Sequence, residues 1–242
     1  MLPPQRQRTL TVISVVVTTV ALAAYLALAP GTAARVRALV GLDGAARADA
    51  PGTPYAFLQQ DPVTGTPVAW DRCRPVEYVV NPAGAPPDWP TVLEDAVSRM
   101  ERASGLTLTS LGETGDRDFE DRDALGYSPD PVLVGWADED EVPDLAGDVA
   151  GIGGAVAVGD NRGYRFRTGA MVLDSDLFAD LAEDGQQDVA VAIVLHELGH
   201  VVGLDHVDDP GELMNAEGIT PRPRFGAGDL KGLAALAEVP CG

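Results

Sequence analysis

The chain has 242 residues, with 17 Lys and Arg against 37 Asp and Glu, a formal charge of −20. That imbalance excludes nucleic acid as a partner class, because no basic surface is available to neutralise phosphates. The length suits one domain of ordinary size plus appendages, enough to bury a core without depending on disulfides, and the domain is expected to work as a monomer.

The first 42 residues hold Arg6, Arg8, Arg35 and Arg37 and no acid, and Leu10 to Ala29 is free of charge. As a helix this run is about 30 Å long, the thickness of a bilayer core. Residues 1–30 are therefore expected to be a single membrane anchor. A cleaved signal peptide is the alternative: Ala27 and Ala29 make a small-x-small site, but Pro30 follows it. A buried helix of the folded domain is the weaker reading, since nothing nearby would cover so uniformly apolar a surface. Two arginines on either side leave the orientation open. Anchored or secreted, the remainder is expected on the extracellular side.

Residues 31–70, rich in Ala, Gly, Pro and Thr, read as a linker or short pro-segment, which places the globular domain at 71–242. Its two cysteines, Cys73 and Cys241, lie at the two ends of that domain. In an exported protein they are expected to form one disulfide. The alternative, a free thiol capping a metal as an inhibitory switch, has little chain to work with, because Cys73 lies three residues before the first strand.

That strand is VEYVVN, Val76 to Asn81, rich in β-branched and aromatic residues and ended by NPAGAPP. A helix follows. Thr91 and Glu94 make a capping-box pattern, Val92, Leu93, Ala96, Val97, Met100 and Ala103 recur at helical spacing, and Gly105 offers the stop. Leu106 to Ser110 reads as a second strand, and the acidic stretch 112–130 as a surface loop without the glycine placement of an EF-hand. Pro131 to Ala137, the GGAVAVG segment around Val156, and Arg165 to Leu173 supply strands three to five. From Asp188, DVAVAIVLHELGHVVGL is apolar on nearly every face, the mark of a helix buried inside a domain. A last helix from Asp229 carries Leu230, Leu233, Leu236 and Ala237. Strands first and helices last predict an α+β fold.

All three histidines of the chain fall within VLHELGHVVGLDH, Val194 to His206. On a helix, His196 and His200 are one turn apart on one face and can share a metal ion. Glu197 lies about 100° around the axis from His196, within reach of a metal-bound water without being a ligand. Gly203 can take positive φ, end the helix and return the chain so that His206 becomes the third ligand. Zinc held by three histidines with one position open to water lowers the pKa of that water to roughly 7. Glu197 would then act as general base and pass the proton to the leaving amine. A core would gain nothing from stacking ionisable rings on an apolar helix, which argues against a purely structural role.

HELGHVVGLDH, with His196, Glu197, His200, Gly203 and His206, resembles the metzincin zinc-protease signature. Met214, eight residues after His206 in GELMN, is similar to the methionine that metzincins place in a tight turn beneath the metal. Asn215 stands where astacin-like and serralysin-like members carry tyrosine, and Val207 where reprolysin-like members carry aspartate. Leu204, Asp205 and DLKGL at Asp229 to Leu233 look like the matrixin branch, in a minimal catalytic domain of the bacterial type. The match is specific over residues 196–214 and architectural over about 71–242.

The resemblance implies a zincin domain: a mixed five-stranded sheet, a buried active-site helix and a closing C-terminal helix. It also implies that the fourth strand, near Gly153 to Val158, is an edge strand that pairs with an extended substrate. By resemblance to some relatives, Asp174 and Asp176 at the end of the fifth strand are candidate calcium ligands, although paired aspartates at a strand end are more often simply solvated. Asp229 either braces the methionine turn or serves as a helix N-cap. Two departures stand out. Animal matrixins bind a second, structural zinc through upstream histidines, and none is left here, so a single zinc is expected; nor is a cysteine-switch pro-segment evident. The implied activity is a zinc-dependent endopeptidase acting on extracellular proteins or peptides. A surface-anchored metal-binding module that has lost catalysis is the alternative, against which the intact Glu197 speaks. An intramembrane protease is disfavoured because the only span-length segment lies far ahead of the motif.

Overall fold

In the computed structural model, residues 54–125, 128–160, 163–216 and 223–241 are described. The expected anchor at Leu10 to Ala29 lies outside the described residues, as does most of the expected linker; among the described residues no helix is long and apolar enough to cross a membrane.

Strand β1 is Ala56–Phe57, β2 Val76–Asn81, β3 Leu108–Glu113, β4 Val132–Ala137, β5 Gly151–Asp160, β6 Gly163–Asp174 and β7 Leu204–Asp205; helix α1 is Trp89–Ser104, α2 Ser175–Glu183, α3 Gln187–Val202 and α4 Ala227–Ala237. Five strands form one sheet in the order β3-β2-β4-β6-β5. The pairs β2/β3, β2/β4 and β4/β6 are parallel, and β5 is antiparallel to β6. This is the mixed α+β arrangement expected. Parallel strands are normally covered on both faces, and β4 accordingly is buried at every position, VLVGWA. β5 is an edge strand, also as expected.

Helix α3 is the apolar run seen in the sequence, with Ala190 through Val202 buried without interruption. It packs between α1, β5 and the short β7, and its side chains join those of Met100, Trp136, Met171 and Leu173 in one core. α4 closes the far side through Leu233 and Leu236.

Several expectations about local structure need correction. α1 starts at Trp89, before Thr91, and no capping box forms there: its N-cap is Asp88, without a side-chain bond, and Pro90 sits in the first turn. Proline is preset for that turn, and Trp89 packs against Trp136 with ring centroids 5.7 Å apart, which anchors the helix earlier. β3 runs two residues later than the apolar content suggests. Ser104 Oγ accepts the Leu106 N–H, and Glu101 Oε1 accepts that of Leu108, so the chain after Gly105 is held by α1 before it can pair. α2 adds an element to those read from the sequence; Asp174 caps it by accepting the Leu177 N–H at 2.7 Å, and Phe178 and Leu181 are its buried face.

The acidic loop between β3 and β4 is irregular, as expected, yet it is bound to the sheet. Arg117 donates to the Trp136 and Ala83 carbonyls and pairs with Glu141. Arg122, buried, donates to Pro131 O and pairs with Asp116. The Phe119 ring lies where a Cβ on Gly135 would come within 2.7 Å of it, so the glycine in β4 is what admits the ring.

Residues 54–70, read as linker, are part of the folded unit. Ala56, Phe57, Val68 and Ala69 are buried, and β1 pairs antiparallel with β7. The apolar pieces are too short to show a period, which is why composition alone assigns them to a linker. Cys73 and Cys241 form the expected disulfide, with Cα atoms 5.8 Å apart.

Candidate active site

The site begins with the end of α3. Gly203 adopts φ 117°, and its N–H bonds the carbonyls of Gly199 and His200, closing the helix. A Cβ at Gly203 would lie 2.9 Å from the Phe166 ring, so position and conformation both call for glycine. The chain then runs through β7 and returns His206 toward the helix.

The Nε2 atom of His206 lies 3.1 Å from Nε2 of His196 and 3.1 Å from Nε2 of His200. The other ring nitrogens are committed. His196 Nδ1 is 2.8 Å from the Leu213 carbonyl and His200 Nδ1 is 2.9 Å from the Leu204 carbonyl, and a carbonyl can only accept. Nδ1 therefore carries the proton in both rings, and each Nε2 presents a lone pair toward Nε2 of His206. Burial pushes the pKa of His196 down to about 4 and that of His200 down to about 3, which keeps both rings neutral at pH 7. With His206 Nε2 the three ring nitrogens form a cluster that can hold a metal ion. Nitrogens bound tetrahedrally to zinc at 2.0–2.1 Å are roughly 3.3 Å apart, so the donor set fits zinc with little movement. Carbonyl oxygens orienting the ligand rings are the usual second shell of such a site.

Glu197 is buried beside this triad and is not a member of it. Loss of hydration raises its pKa to about 8, partly offset by a hydrogen bond from the Gly153 N–H of β5. A Cβ on Gly153 would come 2.2 Å from the Glu197 carbonyl oxygen, so only glycine lets the edge strand lie this close to α3.

Met214 is buried under the helix, with Sδ 2.5 Å from where a Cβ on Gly199 would sit. Gly199 is thus the seat of the methionine between the two helical ligands. Asp229 accepts the N–H groups of Leu213 at 2.6 Å, Met214 at 3.4 Å and Gly226 at 2.9 Å. It braces the methionine turn from the third residue of α4, whose N-cap is Gly226. Leu213 is also the residue whose carbonyl orients His196, so this brace reaches a ligand in one step. Glu212, not singled out from the sequence, accepts the Asp229 N–H at 2.9 Å.

Alongside the triad runs a cleft of about 620 Å³, with Gly151 to Gly153 of β5 on one side and Leu58, Asp205 and Asn215 among its other lining residues. Asp174 is engaged as the cap of α2 and Asp176 lies in its first turn. Among the described residues neither joins a cluster of three ligand side chains. The clusters that exist are the three histidines and Asp71 with Cys73 and Cys241, whose sulfurs are spent in the disulfide.

Residues 130–235, from the start of β4 into α4, match the family model described as matrixin. No curated protein matches the chain. With its three-histidine site, the matched region is a matrixin-family zinc metalloendopeptidase domain.

Proposed function

We propose that this protein is an endopeptidase that hydrolyses peptide bonds of extracellular proteins or peptides, using one zinc ion held by His196, His200 and His206, with Glu197 as general base. The observation that carries this reading is the convergence of three imidazole nitrogens beside a buried carboxyl at the wall of a cleft.

When bound, zinc supplies the Lewis acidity that activates a water and polarises the scissile carbonyl. The chain's own residues do the rest. β5 offers its free edge to an extended peptide, which adds as a further strand and is aligned along the cleft. Glu197, held by the Gly153 N–H, takes the proton from the attacking water and delivers it to the departing amine. With a cation held by His196, His200 and His206, the upward shift of the Glu197 carboxyl would be opposed, which would favour the ionised base. Met214 and Asp229 fix the floor of the site and touch no substrate.

The N-terminal segment, Leu10 to Ala29, supports a location outside the cell membrane, anchored or released by cleavage. Calcium has less support, because Asp174 is occupied by a helix cap.

Hydrolysis of an unstructured protein, compared between wild type and Glu197→Ala with zinc bound to both, tests the catalytic reading. Activity in wild type alone supports it. Equal rates, or none in either, would leave a metal-binding module that does not cleave.

A further inference from the structure

The N-terminal stretch that composition marks as linker touches the metal centre in a specific way. β1 pairs Ala56 with Asp205 and Phe57 with Leu204, and the Leu58 N–H donates to the Gly203 carbonyl at 2.8 Å. Those three partners, Gly203, Leu204 and Asp205, are the entire connection between the end of α3 and His206. The Leu204 carbonyl is also the acceptor that orients the His200 ring, at 2.9 Å. One short strand thus holds both the chain that delivers the third ligand and the oxygen that aims the second.

Other contacts flank this connection, but β1 is its strand partner. The Trp70 indole N–H donates to the Val201 carbonyl at 2.8 Å, at the open end of α3, and the Val68 carbonyl packs 3.3 Å from a Cβ position on Gly203. Tyr55 and Leu204 together press on Gly232 of α4, where a Cβ would come within 3.1 Å of Tyr55 and 2.8 Å of Leu204. Leu58 itself reaches the cleft. β1 and β7 are two residues each, so neither keeps a register alone and each depends on the other.

We propose that residues 55–58 are a positioning strand of the metal centre, which fixes His206 and the His200 ring for zinc. This rests on the zinc site of the preceding section. Backbone partners that orient ligands change metal affinity when lost, typically by about 10- to 100-fold.

The test is zinc affinity of the full-length chain, measured by competition with a chromophoric chelator, with unfolding of the metal-free protein followed in parallel. Leu58→Pro deletes the N–H that bonds Gly203. Should that variant fail to fold, the α-hydroxy acid analogue of leucine at position 58 removes the same N–H and leaves φ free. The double variant Cys73→Ser, Cys241→Ser is the comparison, since it weakens the fold away from the histidines. Expected is a loss of zinc affinity of about 10- to 100-fold for the position-58 variant, a shifted cobalt(II) absorption spectrum, and wild-type affinity for the cysteine variant. Unchanged affinity at position 58, or an equal loss in the cysteine variant, would overturn the positioning role while leaving the zinc site intact. A wild-type chain that binds no zinc would overturn the site itself and the strand's role with it.

Discussion

Replacing Glu197 by glutamine should stabilise the metal-free protein, and more so as the pH rises. Burial lifts the carboxyl from 4.5 in the unfolded chain to about 8 in the folded one. A group whose folded pKa is raised contributes its stability below the unfolded value and loses it as the pH climbs through the folded value. At pH 7 the folded protein still holds the proton that the unfolded chain has released, a difference of 2.5 pH units and about 3 kcal/mol at 1.36 kcal/mol per unit. A buried glutamine amide also lacks full hydration, so the net gain expected is about 1–3 kcal/mol at pH 7. The histidines act in the opposite direction: with folded pKa values near 4 and 3 their stability is complete above 6.5 and drains away as the pH falls. They are common to both proteins and cancel in the comparison. The assay is urea unfolding of wild type and Glu197→Gln with excess chelator, from pH 5 to 8.5. The two stabilities should approach each other toward pH 5 and diverge steadily above it. Curves that stay parallel would show that Glu197 is not buried as described.

Other consequences follow from the packing around the site. Gly153→Ala places a methyl 2.2 Å from the Glu197 carbonyl oxygen and must push β5 off α3. Peptide hydrolysis should fall on the order of 100-fold, with zinc content unchanged by atomic absorption. Asp229→Ala removes the acceptor of three N–H groups beneath the triad. It should cost about 2 kcal/mol, seen by calorimetry as a melting temperature lower by about 4–8 °C. The Cys73→Ser, Cys241→Ser pair opens a loop of 168 residues and should lower stability by about 2–4 kcal/mol in denaturant.

The chemistry was far more legible in the sequence than its support. His196, His200 and His206 are joined by short spacings along one helix and one turn, so the 3.6-residue period and a single glycine nearly determine their meeting. Gly153 illustrates the limit: its task is to let a strand lie against a helix more than forty residues later in the chain, and no local pattern encodes that approach. Gly199 is similar, an unremarkable residue inside the motif until Met214 arrives beneath it. Asp229 admitted two local readings, and only tertiary contact shows it reaching Leu213. β1 is too short to show a periodicity, and its strand character emerges only with its pairing to β7. The five main strands were visible through their β-branched content, but their ends were moved by side-chain bonds such as Glu101 to Leu108.

The central claim, one zinc on three imidazoles serving peptide hydrolysis, is tested most directly by titrating zinc into chelator-stripped protein and following cleavage of an unstructured protein in the same samples. The account predicts no cleavage without zinc, a linear rise to one equivalent, and a plateau beyond it. Cleavage by the stripped protein, or a rise that continues to two equivalents, would contradict it.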